Sequence, residues 1–124
     1  MAKVTYGPYS PIRQIGDLIF ISGQVGIHPE TDVTAKDIAQ QTERAILNLE
    51  AILRAEKLSL DNVVKTTVFL TSMDNFSVMN EVYERRFNAP RPARSCVSVQ
   101  ELPRVGGDIK ILVEIEAVAH VSRQ

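Results

Sequence analysis

Two short stretches hold side chains that can do chemistry together. In RPARSCVSV, residues 91–99, a proline-rich turn delivers Arg94 to the first step of a run that alternates like a β-strand, with Cys96 two positions on. Arginine keeps its charge and presents a planar fork of donors that matches a carboxylate. In VEIEAVA, residues 113–119, Glu114 and Glu116 fall on one side of an alternating strand, roughly 6–7 Å apart by strand rise. A cation that grips an anion and a carboxylate that moves protons are the minimum for acid–base chemistry on an anionic substrate. The single cysteine, Cys96, invites a nucleophile, but the histidines are His28 and His120 and no Cys-His signature surrounds it. His28, beside Pro29, reads as a turn residue, and two histidines argue against a metal site.

The elements that must carry these groups follow from periodicity. YGPYSPIRQIGD reads as an entry loop, and Leu18 to Ser22 as a strand broken by Gly23 and Gly26. From about Ala35 to Lys57, Ile38, Ala45, Ile46, Leu49, Ile52 and Leu53 recur at helical spacing and define one amphipathic helix. NVVKTTVFLTS is β-branched and predicts a strand. Phe76, Met79, Tyr83 and Phe87 predict a second helix, which the PRP at 90–92 terminates. ARSCVSVQEL and IKILVEIEAVAHV read as two strands, and Gly106-Gly107 between them suggests a long hairpin. Two helices would then cover one face of a mixed sheet, an α+β arrangement in one domain over 1–124.

The last strand has two unlike faces. Ile109, Ile111, Val113, Ile115, Ala117, Ala119 and Val121 are wholly apolar, whereas Lys110, Leu112, Glu114, Glu116, Val118 and His120 mix charge with apolar groups. Subunit contacts through the sheet would explain the mixture. If the two final strands pair with Val97 and Val99 turned to the core, Arg94 and Cys96 look the same way as Glu114 and Glu116. On spacing alone, such a pair is more often a cross-strand salt bridge than a catalytic couple.

Bulk properties remove several classes of function. Hydrophobic residues make up 44% and charged residues 23%, the mix of an ordinary globule. The net charge of −1 provides no global field toward nucleic acid or an anionic membrane, and Arg85-Arg86 reads as a solvated helix face. One cysteine permits no internal disulfide and fits a reducing compartment. The first residues hold no apolar signal core, and the longest apolar run, in GDLIFISG, is too short to span a bilayer, so the expectation is a cytoplasmic protein.

GPYSP, FISGQ, VVKTTVFLTSMDNF, MNEVYERRF, RPARSCVSV and VEIEAVA occur in this order, and together they resemble the RidA/YjgF family of reactive enamine/imine deaminases from about Gly7 to Ala119. The resemblance implies a chorismate-mutase-like α+β fold, a mixed β-sheet with two helices on one face, assembled as a barrel-like homotrimer with active sites between subunits. It implies hydrolysis of 2-imino acids such as 2-iminopropionate, formed from 2-aminoacrylate, to 2-keto acids and ammonia, with no cofactor and no metal. By the same resemblance Arg94 grips the substrate carboxylate and Glu114 holds the attacking water. Tyr9 closes over the ligand, Ser22 and Gly23 supply hydroxyl and backbone contacts, Asn80 adds a polar contact from a neighbouring subunit, and Cys96 lines the pocket. The turn HPETDV looks shorter and the loop LPRVGGD longer than the family pattern, which bears on the cleft rim and side-chain preference.

Two other classes compete. The family has also been described as endoribonucleases and translation inhibitors, but balanced charge and the lack of a stacking platform of strand aromatics argue against RNA. A trimeric keto- or amino-acid binding or chaperone-like protein needs the arginine, whereas only a hydrolase needs the glutamate.

Overall fold

The computed structural model describes residues 5–105 and 107–122. A five-stranded sheet runs in the order β1-β2-β5-β3-β4, with β1 Ile12–Ile15, β2 Leu18–Val25, β3 Val63–Leu70, β4 Ala93–Ser98 and β5 Val113–His120. All neighbours are antiparallel except β3 and β4. The expected entry loop contains β1, which turns into β2 through Gly16-Asp17. Gly16 sits at φ +56, a left-handed conformation that glycine adopts at little cost. Gly23 does not break β2 but lies inside it, where the register with β5 shifts between Ile21 and Gln24.

Helix α1, Ile38–Ala55, starts where the Asp37 side chain accepts from the Gln40 amide at 2.8 Å. Helix α2, Phe76–Arg86, follows a 3₁₀ turn at Met73–Asn75. Both helices pack on one face of the sheet over a core that includes Ile46, Leu49, Val68, Met79 and Ile115. The predicted helices, the mixed sheet and the one covered face are therefore present.

The expected hairpin is not. Strand β5 pairs with β2 and β3, and β4 reaches the sheet only through its parallel pairing with β3, so the last two strands never touch as neighbours. Parallel pairing requires a crossover, and α2 supplies it between β3 and β4. Of the glycine pair proposed for the turn, Gly106 lies outside the described residues, and Gly107 sits in a long connection. The last strand also starts later than its apolar alternation suggests. Buried Gln41 takes the Lys110 carbonyl at 2.8 Å and the Leu112 amide at 2.8 Å, so these backbone groups clip onto α1 instead of joining the ladder.

Removing the hairpin reverses one inference about faces. Arg94 pairs with Thr66 and Cys96 with Val68, both facing the helices, whereas Glu114 pairs with Phe69 and Glu116 with Thr67 on the opposite face. Arg94 and Cys96 thus look away from Glu114 and Glu116. On edge strand β4 the helix-side positions are the polar ones, and Val97 stands exposed on the open face.

Candidate functional site

The residues flagged for chemistry fall into two groups, one on each face of the sheet. The first surrounds Arg94. Its Nη1 donates to Asn80 Oδ1 at 2.7 Å, and its guanidinium carbon lies 4.9 Å from the centroid of the Tyr83 ring and 5.7 Å from that of Phe76. Contacts of this kind hold a cation over an aromatic face. Tyr83 is itself fixed: its hydroxyl shares a 2.7 Å hydrogen bond with Thr66, and its ring stacks on Phe87 at 4.4 Å. Phe76, Asn80 and Tyr83 share one face of α2 by their spacing of four and three. Arg94 Nε and Nη2 make no hydrogen bond, and no carboxylate comes within ion-pair reach, among the described residues. The arginine is oriented but half its fork is open.

Cys96 is half-buried beside this group. Burial pushes its thiol up while Arg94 pulls it the other way. Desolvation dominates, so Cys96 is held as a neutral thiol, the wrong form for a nucleophile. Asn80, expected to add a polar contact from a neighbouring subunit, accepts a hydrogen bond from Arg94 of its own chain.

The second group surrounds Glu114 on the open face. A methyl on Gly23 would stand 2.4 Å from Glu114 Oε2, so the carboxylate lies directly over the Gly23 backbone. No hydrogen bond or ion pair reaches that carboxylate among the described residues. Burial, and secondly the charge of Glu116, push its pKa above the ordinary carboxylate value. These are the two influences that disfavour an ionised acid.

Glu114, Gly23 and Tyr9 line one cavity of about 360 Å³. It lies past the end of β1, between the entry loop, the free part of β2, helix α1 and the connection at 103–105. Tyr9 is exposed at its rim and accepts from the Tyr6 amide at 3.2 Å. Ser22 is tied elsewhere: its hydroxyl donates to the Ser10 carbonyl at 2.6 Å and its amide to the Pro11 carbonyl at 3.0 Å, fastening the entry loop to β2. His28 is a turn residue, its Nδ1 accepting from the Glu30 amide at 3.2 Å.

The sequence did not point to Tyr83 and Phe76 as supports for Arg94, because their helical spacing marks them equally well as core. The usable signal was their common face with Asn80. Nor did it point to the cavity walls Val25, Ile27 and Ile52, which look like any buried aliphatic residues.

The family model described as Endoribonuclease L-PSP matches residues 2–121. A RutC family protein of Pyrococcus abyssi is 44% identical over 115 residues, 92% of this chain and 87% of that one. The 2-iminobutanoate/2-iminopropanoate deaminase of Escherichia coli is 40% identical over 121 residues, 95% of this chain and 91% of that one. Among solved structures, Escherichia coli TdcF with bound serine superposes with a TM-score of 0.89 at 36% identity, covering 98% of this chain and 94% of that one.

Proposed function

The chain belongs to the Endoribonuclease L-PSP family, that of the RidA/YjgF proteins, and from that premise we propose that it hydrolyses 2-imino acids to 2-keto acids and ammonia. The observation that carries the reading is Glu114: a half-buried carboxylate, shifted toward a stronger base, without a hydrogen-bond partner among the described residues, in the wall of a cavity. A module that only binds carboxylates has no use for such a group.

In the reaction, Arg94 Nε and Nη2 take the substrate carboxylate as a bidentate pair. Glu114 removes a proton from water as its oxygen bonds to C2. The substrate enters as the iminium, already protonated at nitrogen, so the C=N electron pair moves onto that nitrogen and a neutral carbinolamine results. Glu114 then returns its proton to nitrogen, the C–N bond breaks with its electron pair leaving on ammonia, and the hydroxyl proton passes by way of Glu114 to that ammonia as the ketone forms. Imine and water go in; 2-keto acid and ammonia come out. The imine is already electrophilic, so orientation and one general base meet the demand.

Arg94 and Glu114 lie on opposite faces, two strands apart, so one small substrate touches both only if they come from different copies. We therefore place the site between neighbouring subunits of a homotrimer. The open face supports this, exposing Leu18, Phe20 and Val97, an apolar surface of the kind that marks an interface. A reducing cytoplasm suits the one free cysteine.

The test generates 2-aminoacrylate in situ with a serine/threonine dehydratase and follows pyruvate while semicarbazide competes for the imine. Pyruvate restored by the protein, and lost in Arg94→Ala and Glu114→Gln, is the expected result. A folded protein without effect would move the reading to a carboxylate-binding module. Light scattering measures the assembly.

A further inference from the structure

We propose that the cavity beside Glu114 receives the side chain of the imino acid, and that it selects branched aliphatic and other bulky apolar side chains over methyl or hydroxymethyl. The inference rests on the reading that Glu114 delivers water to C2. With Glu114 at C2 and the substrate carboxylate held by Arg94 of another copy, the remaining substituent is the side chain, and the space beside Glu114 within this chain is the cavity.

Its chemistry is apolar. Val25, Ile27, Ile52, Pro103 and Val105 form walls, and among the described residues Glu114 is the only carboxylate or cationic side chain lining it. Several polar groups along the wall are already paired. Asn48 Nδ2 donates to the Val25 and Ile27 carbonyls at 3.1 and 2.9 Å while its Oδ1 accepts from Arg44 Nε at 3.0 Å. Gln24 Nε2 donates to the Ser22 carbonyl at 3.0 Å. Tyr6 hydrogen-bonds Asp32 at 3.0 Å and, with burial, is pushed up to about 12, so its phenol stays neutral. A hydroxyl on the substrate side chain would find few partners here, and an unpaired polar group is costly to bury.

The volume points the same way. About 360 Å³ falls in the range of ligand pockets, and the methyl of 2-iminopropanoate would leave most of it unfilled. Two of the walls, Pro103 and Val105, belong to the loop LPRVGGD, which the family resemblance reads as longer than the usual form.

The experiment compares imines of one series, formed by D-amino-acid oxidase with catalase from D-alanine, D-serine and D-leucine, under semicarbazide competition. The leucine-derived imine should exceed the alanine-derived one in kcat/KM by roughly tenfold or more, the discrimination that methylenes provide in an apolar pocket. The serine-derived imine should gain nothing over alanine. Ala51 lies at the exposed rim of the cavity. Ala51→Phe, with Ala51→Leu as a smaller intrusion, should lower the leucine-to-alanine ratio by about tenfold. Equal rates across the series, or a ratio that neither variant moves, would overturn the subsite while leaving the hydrolase reading intact. Hydrolysis of none of the three by the folded protein would remove that reading, and the subsite with it.

Discussion

The two half-sites are built by opposite means. Arg94 is held by side chains: Asn80 on one nitrogen, Tyr83 and Phe76 against its plane, and Thr66 and Phe87 behind Tyr83. Glu114 is held by backbone: a glycine at a β-bulge lets the carboxylate settle over the main chain, and no side chain among the described residues donates to it. The difference matches what each group must do. A guanidinium is always charged, so only its direction needs setting, and packing against a helix sets it. A general base needs its proton affinity raised, and any donor on the carboxylate would lower it. One half fixes geometry while the other leaves a charge poorly solvated.

Replacing each principal residue should expose this contrast most strongly. Glu114→Gln is expected to lower kcat by about 10²–10⁴-fold, the range of general-base catalysis. It should not lower stability at neutral pH. The folded-state pKa of Glu114 lies above its ordinary value, so its contribution to stability is fully present below the ordinary carboxylate range and is lost as pH rises through the raised value. Glutamine has no such loss, and urea unfolding of the variant should show a flatter pH dependence than the wild type. Arg94→Ala should act mainly on KM. Refolding the two inactive variants together tests the placement of the halves. In a ring of equal mixture about a quarter of the sites would join an intact Arg94 to an intact Glu114 across a head-to-tail interface. Activity that fails to reappear in verified mixed assemblies would put both residues in one copy and break the comparison.

The sequence marked the residues better than it placed them. Periodicity was sufficient for α1 and α2, whose buried stripes leave little freedom. Strand order was hidden, because a hairpin and a crossover both fit two apolar runs joined by a glycine-bearing loop. The faces of β4 were hidden for a related reason. At a sheet edge burial is incomplete, so alternation loses its force: Val97 is exposed and Arg94 faces the helices. Glu114 was readable because β5 is central, with every second residue from Val113 to Ala119 buried. The cavity was not readable, since its walls come from the entry loop, β2, α1 and the 103–105 connection.

Smaller changes should separate the two kinds of support. Gly23→Ala places its methyl against the movable end of the Glu114 side chain rather than against backbone. The carboxylate should therefore be displaced with the fold intact. A fall in kcat on the order of tenfold, from lost alignment of the base, is expected with a melting temperature close to wild type. Asn80→Ala removes the acceptor on Arg94 Nη1 and leaves the ring contacts. Its effect should appear in KM, roughly tenfold, as expected for about 1.5 kcal/mol from one hydrogen bond to a charged group. If both variants changed kcat and KM in the same proportion, the division between a directing half and a basic half would be wrong.

The smallest effect concerns tuning alone. Burial is the first cause of the raised Glu114 pKa, and the like charge of Glu116 on the same face is the second. Glu116 is exposed, so Glu116→Gln should leave the fold unaltered while removing only the repulsion. The activity of the wild type should fall on the acid side as Glu114 takes up its proton, at a pH above the ordinary carboxylate range. In Glu116→Gln this limb should move to lower pH without reaching the ordinary range, because desolvation persists. High salt should shift the wild-type limb the same way, since an exposed charge is screened while burial is not. A limb unmoved by either change would assign the raised proton affinity to burial alone, and the open face would then need only its glycine and its cavity to make a base.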